Sequence, residues 1–237
     1  MKAASPIPRP LAVPSAAAGD LRTAGMPGSG SAIVAVLAGG RGRRIGGAKP
    51  MRSLAGRPLI EYPLAAARKA NIETIVVAKA ATQLPDGLTA HVVLEPDEPH
   101  HPLTGAVAAL EYATRVSASA VVMVGCDMPL VTAALLAWIA EMPGGALLLE
   151  LDGRTQPLPT RCLPRHAPLL REALEREAPL REALGALAPA ILDERALARF
   201  GEARRLCFSV NSAEDLAAAE RWLPLAEPAP DRDAEPG

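Results

Sequence analysis

The sequence predicts a single α/β domain of three layers, with helices on both faces of a mainly parallel sheet. Short aliphatic and β-branched runs alternate with helical patterns of about ten residues, which is typical of βαβ units. A loop rich in glycine and arginine directly follows the first of these runs. Ligands bind at the carboxyl ends of the strands in such sheets, so the same pattern predicts where a ligand lies.

The predicted strands are short apolar runs bounded by polar or turn-forming residues. They lie at 33–37, 74–78, 89–94, 120–124, 146–151, 157–162 and 207–210. Asp152-Gly153 separates two of them and is typical of a tight hairpin turn. We therefore expect one antiparallel element in the sheet.

Helical patterns lie between most of these strands and after the last one. They cover 58–70, 103–116, 132–142, 164–177, 179–187 and 213–222. Ser212 and Asp215 approximate a capping box at the start of the last helix. We expect one folded domain over 32–224, with disordered segments rich in alanine and proline at 1–31 and 225–237.

Composition and charge argue against several classes of partner. Aromatic residues make up only 3% of the chain, too few for a surface that stacks nucleic-acid bases. The net charge of −1 gives no general attraction to nucleic acid or to a membrane surface, and no apolar run is long enough to span a bilayer. The three cysteines are widely spaced and form neither a disulfide framework nor a zinc pattern, so we expect a cytoplasmic protein.

The glycine-rich loop predicts an anionic ligand. From Ala35 to Pro58 the chain contains six glycines and six basic residues, and the next acid is Glu61. Glycines let backbone N–H groups approach a ligand closely, and unopposed cations favour a negative one. A polyphosphate fits both properties.

Two common phosphate-binding motifs do not fit this loop. Gly40, Gly42 and Gly46 are spaced one residue too far apart for a dinucleotide fingerprint, and no acid ends the second strand to bind a ribose. A P-loop requires a hydroxyl residue directly after its lysine, whereas Pro50 follows Lys49.

Six short motifs follow one another along the chain. They are L-A-G-G-x-x-x-R-I-G-x-x-K at 37–49, L-A-G-R-P-L-I at 54–60, P-L-T-G at 102–105, V-G-C-D-M-P at 124–129, Q-P-L at 156–158 and V-N-S-x-E-D-L at 210–216. The series resembles nucleotidyltransferases with a glycosyltransferase-A-like, Rossmann-like fold. Within them it is most similar to the MobA family of molybdenum cofactor guanylyltransferases. The resemblance implies that the domain at 32–224 is a nucleotidyltransferase domain.

The resemblance further implies transfer of GMP from GTP to molybdopterin, with Mg²⁺ as cofactor and pyrophosphate as the second product. Three alternatives stay open: CTP as donor, another phosphorylated acceptor such as a sugar phosphate or phospholactate, and a non-catalytic nucleotide-binding module. Related cytidylyltransferases more often carry alanine at the position of Gly39, which favours guanine. The presence of both Lys49 and Asp127 argues against a non-catalytic module. A molybdoenzyme or its chaperone is a candidate partner.

The catalytic residues that the resemblance implies are Lys49, Asp127 and Arg44. Asp127 follows an apolar strand, where a carboxylate suits Mg²⁺ shared with substrate phosphates. Its alternative role is a helix cap before Thr132. Lys49 would bind the triphosphate as a point charge, and Arg44 would assist the leaving pyrophosphate. The alternative for Lys49 is a solvated loop lysine.

The resemblance implies that the nucleotide is bound by Lys49 and Asp127 and by the backbone of Leu37, Ala38, Gly39 and Gly40. An acid on the loop after the third strand completes this set, and we expect Asp97, with Glu95 as the alternative. On the same loop, His100 and His101 are adjacent. Neighbouring side chains in extended backbone point apart, so we expect a solvated pair rather than metal ligands.

Substrate contacts are implied at Gly105, Gln156 and Asn211, where helix initiation is an alternative role for Asn211. The chain departs from the family pattern at two positions. Ala78 stands where guanylyltransferases often carry an asparagine near the guanine. Ser209 stands where they often carry another asparagine, near the acceptor.

Overall fold

The computed structural model describes residues 30–40 and 48–223. The strands in these residues are β1 (Ile33–Leu37), β2 (Ser53–Leu54), β3 (Arg57–Pro58), β4 (Thr74–Ala78), β5 (His91–Leu94), β6 (Val121–Gly125), β7 (Leu147–Leu151), β8 (Arg154–Cys162) and β9 (Ala190–Leu192). The helices are α1 (Glu61–Lys69), α2 (Pro102–Arg115), α3 (Ala133–Glu141), α4 (Ala167–Glu175), α5 (Leu180–Gly185), α6 (Glu194–Leu197), α7 (Ala203–Leu206) and α8 (Ala213–Trp222). Short 3₁₀ helices lie at Lys49–Met51 and Pro164–His166.

In the described part of the chain, seven strands form one sheet of order β5-β4-β1-β6-β8-β7-β9, and β2 and β3 form a small separate hairpin. β1 pairs in parallel with both β4 and β6, β4 pairs in parallel with β5, and β7 with β9. β8 runs antiparallel to both of its neighbours, β6 and β7. The prediction of a mainly parallel sheet with one antiparallel element is confirmed.

The hairpin between β7 and β8 turns at Asp152-Gly153, as predicted. These residues have φ of 50° and 69°, and positive φ at both central residues is the conformation of a type I′ turn. Because β8 runs back along β6 in a register that pairs Met123 with Thr160, its first residues extend beyond the carboxyl end of β6. The hairpin therefore forms one wall at this edge of the sheet.

Helices cover both faces of the sheet. Ile33 and Ala35 of β1 belong to the core on the side of α2, and Val34 and Val36 to the core on the side of α1 and α3. All four residues are at most 1% exposed. Strands buried on both faces lack the alternation of half-exposed strands, which explains why the predicted runs are continuously apolar.

A third, smaller cluster joins α8 to the β2–β3 hairpin. Its buried members are Leu54, Leu59, Val210 and Ala219. Ser212 begins α8 by accepting a hydrogen bond from the Asp215 N–H at 3.1 Å, which confirms the predicted cap. The C-terminal helix is thereby fixed beside the residues that follow the glycine-rich loop.

The strand predicted at 207–210 is wrong. The Cys207 N–H donates to the Ala203 carbonyl at 3.0 Å and ends α7. The Val210 N–H donates to the Asp127 carbonyl at 2.9 Å instead of joining the sheet. The seventh strand is β9, whose three residues are too short a run to be recognised in the sequence. The four-residue helices α6 and α7 escape prediction for the same reason.

The disorder predicted for 1–31 and 225–237 concerns segments that lie, apart from residues 30 and 31, outside the described residues. Among the helices of residues 48–223, none has the length and apolar character needed to cross a membrane.

His166 makes the stability of the fold depend on pH. His166 is 8% exposed, and its Nδ1 accepts a hydrogen bond from the Leu163 N–H at 3.2 Å. Burial, and then the charges of Arg165 and Arg161, lower the pKa of His166 below its ordinary 6.5. As pH falls, the unfolded chain takes up the proton first. The contribution of the neutral imidazole is therefore complete above about pH 6.5 and is lost below it.

His166→Asn, which keeps an acceptor but does not titrate, should flatten this dependence. Between about pH 7.5 and about pH 5, we expect the free energy of unfolding to fall more for the wild-type protein than for the variant. Urea denaturation at both pH values measures the difference, with His91→Asn at an exposed position of β5 as control. Parallel profiles for the wild type and His166→Asn would contradict a neutral, buried imidazole.

Candidate active site

A cavity of about 410 Å³ opens at the carboxyl ends of β1, β4, β5 and β6. The chain crosses from β5, at one edge of the sheet, to β6 on the other side of β1. The strand order therefore reverses at β1, and the crevice at such a point is where open α/β sheets bind their ligands. The cavity lies where the sequence predicts a ligand.

Backbone hydrogen bonds continue the sheet past the last residues of its central strands. The Ala38 N–H donates to the Val77 carbonyl at 2.8 Å. The Cys126 N–H donates to the Leu37 carbonyl at 3.0 Å. The loops that follow β1 and β6 therefore leave the sheet side by side, and their residues face one cavity.

Lys49 connects three distant parts of the chain at one end of this cavity. Its Nζ donates to Oδ2 of Asp127 and, at 2.9 Å, to Oδ1 of Asn211. The Lys49 and Asp127 side chains are 14% and 16% exposed. The Asn211 amide nitrogen donates to the Ser209 carbonyl at 3.1 Å, which directs the Asn211 oxygen towards the ammonium. A carboxylate and an amide oxygen thus face a single cation.

Gly125 is what allows Asp127 to lie here. A Cβ at position 125 would come within 2.2 Å of Asp127 Oδ1, closer than atoms approach without moving. The Met128 N–H donates to the Gly125 carbonyl at 3.2 Å and closes the turn around the aspartate. The Val210 N–H donates to the Asp127 carbonyl, so the same turn brings Asn211 next to Lys49.

A second charged pair lies at the other end of the cavity, above β4 and β5. Lys79 Nζ is 3.7 Å from Glu95 Oε1, and the two side chains are 12% and 5% exposed. Glu95 Oε2 accepts a hydrogen bond from Thr104 Oγ1 at 2.7 Å. A Cβ would lie 1.5 Å from Oε1 at Gly39 and 2.9 Å from Oε2 at Gly105. Both glycines leave room for this carboxylate.

The histidines lie at the rim, close to this second pair. His101 Nδ1 accepts a hydrogen bond from the Leu103 N–H at 3.2 Å and so caps α2. His100 Nε2 lies 2.9 Å from Glu98 Oε1 and its side chain is 31% exposed. Both line the cavity. The sequence predicts a solvated pair rather than metal ligands, and this stays a prediction.

Cys126 also lines the cavity, but its thiol is not activated. Burial, and then the nearby carboxylate of Asp127, raise the pKa of Cys126 far above its ordinary value. Burial likewise raises the pKa of Cys162 and of Cys207 to about 12. The thiolate is the reactive form, so none of the three thiols is a nucleophile at neutral pH.

The sequence matches the MobA-like NTP transferase domain over residues 34–191, more than half of its 237 residues. The chain belongs to this family. Two curated relatives named molybdenum cofactor guanylyltransferase, from Cereibacter sphaeroides and Xanthomonas euvesicatoria, are each 32% identical over 125 and 162 residues. The matches cover 52% and 68% of this chain, and 64% and 74% of the relatives.

Solved structures share the fold of this chain. A molybdopterin-guanine dinucleotide biosynthesis protein A from Archaeoglobus fulgidus is 26% identical, with a TM-score of 0.68 over 79% of this chain and 96% of that one. A 2-C-methyl-D-erythritol 4-phosphate cytidylyltransferase from Thermus thermophilus has a TM-score of 0.58 at 21% identity, over 80% of this chain and 97% of that one. The second likeness shows the nucleotidyltransferase fold alone.

This MobA-like chain brings together most of the residues that its sequence singles out. The cavity lining includes Lys49, Asp127, Leu37, Gly39, Gly40 and Gly105. Ala38 is 1% exposed and packs into the core, and Asn211 reaches the site through Lys49. Arg44 lies outside the described residues.

Like Ala38 and Asn211, the predicted site residues Asp97 and Gln156 are not among the lining. Asp97 is exposed, and Glu95 lines the cavity in its place. The Gln156 amide nitrogen donates to the Arg154 carbonyl at 3.0 Å, and the lining residue on that strand is Leu158. Their roles in binding stay predictions.

Lys79 is the charged lining residue that sequence reasoning missed. The dinucleotide fingerprint calls for an acid at the end of the second strand, and a lysine at this place matches no motif. Only its position could have indicated a role in the site: Lys79 is the first residue after β4, at the carboxyl edge where the other site residues lie.

Gly39→Ala should destabilise the protein, because the new methyl group would displace a buried carboxylate. We expect a loss of about 1–3 kcal/mol in the free energy of unfolding, typical of overpacking. Gly40→Ala is the matched control: a Cβ there meets no atom within 4 Å, and we expect a change below about 0.5 kcal/mol. Chemical denaturation measures both. Equal stability of the two variants would show that Glu95 does not occupy the space beside Gly39.

Proposed function

We propose that this chain transfers GMP from GTP to molybdopterin, forming the guanine dinucleotide cofactor and releasing pyrophosphate. The observation that carries the proposal is the convergence of Lys49, Asp127 and Asn211 at one end of a cavity of about 410 Å³, within the size range of small-molecule sites. The names of the relatives from C. sphaeroides and X. euvesicatoria support the same reaction.

Mg²⁺ is the cofactor we propose, and the groups around Lys49 fit it. The Asp127 carboxylate and the Asn211 amide oxygen already face one cation, the Lys49 ammonium. Mg²⁺ takes hard oxygen ligands, usually one or two carboxylates with water and substrate phosphates. Among the described residues, no group of three or more His, Cys, Asp or Glu side chains could hold a metal by itself, so nucleotide phosphates would complete the set. When bound, the metal would withdraw negative charge from the α-phosphate.

The chemistry requires positioning and charge neutralisation rather than covalent participation of the protein. A phosphate oxygen of the acceptor forms a bond to the α-phosphorus of GTP. The bond from that phosphorus to the oxygen bridging to the β-phosphate breaks, and pyrophosphate leaves with the bonding electrons. Lys49 would turn from Asp127 towards the triphosphate, where its ammonium offsets the charge that develops on the leaving group. Arg44 is proposed to share this task.

The two substrates would approach from opposite ends of the cavity. Asn211 lies beside Asp127, at the end of a segment anchored by the hydrogen bond from the Val210 N–H. We assign this end to the acceptor. Gly105 lies against Glu95 at the other end, so its close packing serves the nucleotide rather than the acceptor.

Protein incubated with Mg²⁺, molybdopterin and one nucleoside triphosphate at a time should release pyrophosphate fastest with GTP. Asp127→Asn keeps the side-chain shape but removes its charge, so we expect turnover to fall by about a hundredfold or more while the protein still folds. Asp86→Asn, at an exposed loop position, is the matched control. Equal rates with CTP would contradict the guanine assignment, and an active Asp127→Asn would contradict the role of this carboxylate.

Lys49→Ala should weaken the binding of GTP by about tenfold to a hundredfold, as expected for the loss of charge-assisted hydrogen bonds. Isothermal titration calorimetry in the absence of acceptor measures this change directly. Lys69→Ala, at an exposed position of α1, controls for the loss of one positive charge. The same GTP affinity in Lys49→Ala and in the control would remove Lys49 from the triphosphate site.

A further inference from the structure

The proposed phosphate transfer does not use the Lys79–Glu95 pair at the far end of the cavity. The charges of this pair are nonetheless nearly buried, at 12% and 5% exposure of the side chains. Burying charges is costly unless they are paired and hydrogen-bonded. Lys79 Nζ donates to the Pro96 carbonyl, and Glu95 accepts from Thr104. The pair is thus held in place by a carbonyl of the loop after β5 and by a hydroxyl of α2.

Both side chains keep hydrogen-bonding capacity for a ligand. The separation of 3.7 Å between Lys79 Nζ and Glu95 Oε1 is an ion-pair distance, longer than a hydrogen bond. An ammonium has three donors and no acceptor, whereas an ionised carboxylate has about four acceptor positions and no donor. A ligand that enters here therefore meets a donor and an acceptor side by side.

The distance of this pair from Asp127 suits the outer edge of a nucleobase. Asp127 follows β6, Lys79 follows β4 and Glu95 follows β5, in a sheet of order β5-β4-β1-β6. Neighbouring strands are about 4.8 Å apart, so the pair lies about 10–15 Å from the aspartate across the sheet. A nucleotide with its α-phosphate near Asp127 would span this interval with its ribose and base.

We propose that Lys79 selects the nucleobase, by donating to the carbonyl oxygen at position 6 of guanine while Glu95 accepts from the adjacent N1–H and 2-amino group. The inference rests on the proposed function, since it takes the phosphates to lie at Lys49 and Asp127. It identifies the class of base that this site would select, which is a 6-oxopurine.

The other bases differ from guanine in the donors and acceptors at this edge or in the distance of the edge from the ribose. Adenine carries an amino group at position 6 and an unprotonated N1, so a donor would face Lys79 and an acceptor would face Glu95. Cytosine also presents an amino group at the corresponding edge. Uracil has a carbonyl beside an N–H, but its single ring extends less far from the ribose. Buried polar groups left unpaired are the main source of strong discrimination between ligands.

Equilibrium binding of GTP, ITP, ATP and CTP in the absence of acceptor tests the proposal. ITP keeps the 6-oxo group and N1–H and should follow GTP. Lys79→Met removes the donor while keeping the length of the side chain. We expect it to narrow the ratio of GTP to ATP affinity by about tenfold to a hundredfold, mainly through weaker GTP binding. Lys79→Arg should restore part of the ratio. Lys69→Met is the matched exposed control.

A purely structural role of Lys79 makes a different prediction. If Lys79 only maintains the structure, Lys79→Met should weaken the binding of all four nucleotides by the same factor and leave the ratio of GTP to ATP affinity unchanged. That result would overturn the proposal, as would a wild-type preference for ATP or CTP. If Lys79→Met does not fold, Lys79→Gln gives the same reading, because an amide both donates and accepts and should tolerate either 6-substituent. Failure of the proposed function is distinct: it is the absence of transfer to molybdopterin while the base ratio still depends on Lys79.

Discussion

The site depends on one constraint: the central strand β1 is paired on both edges and buried on both faces. β1 is bonded to a parallel strand on each side and packed against helices on each face. A slip of one residue would exchange the side chains that pack against α2 with those that pack against α1 and α3, so the close packing of both cores fixes the register. Because the register is fixed, the loops after β1, β4, β5 and β6 emerge at one level and share one cavity. The contacts of Lys49, Asp127 and Glu95 follow from that alignment.

Much of the fold is readable in the sequence because its signals are local. Alternating strand and helix patterns predict the parallel sheet, and Asp152-Gly153 predicts its one reversal. Residues 207–210 have the apolar pattern of a strand but do not form one, because the Val210 N–H donates to the Asp127 carbonyl instead of joining the sheet. β9 is missed because three residues give no periodicity, although β7 offers them a parallel partner.

Site residues that belong to a sequence motif could be predicted. Where two similar residues lie close together in the sequence, only their packing in the fold distinguishes them. Lys49 and Asp127 belong to two of the six sequence motifs, and both line the cavity. Asp97 and Glu95 lie two positions apart on one loop, and no local pattern tells them apart. Glu95 rather than Asp97 lines the cavity, because Gly39 and Gly105 leave a space that fits its carboxylate. Gly39 belongs to the loop whose glycines are predicted to leave room for an anionic ligand. It also leaves room for the carboxylate of Glu95, as Gly125 does for that of Asp127.

The contact between Lys49 and Asn211 joins residues 162 positions apart, and α8 packs against the hairpin that follows Lys49. The central strands could pair as soon as β6 has left the ribosome, but this contact needs almost the entire domain. Closing so long an interval carries an entropic cost that is offset only when α8 finds its place. A chain that lacks α8 and the segment before it therefore lacks the Asn211 oxygen beside Lys49, even if its central strands are paired. The set of groups around Lys49 is complete only when the C-terminal part of the domain is in place.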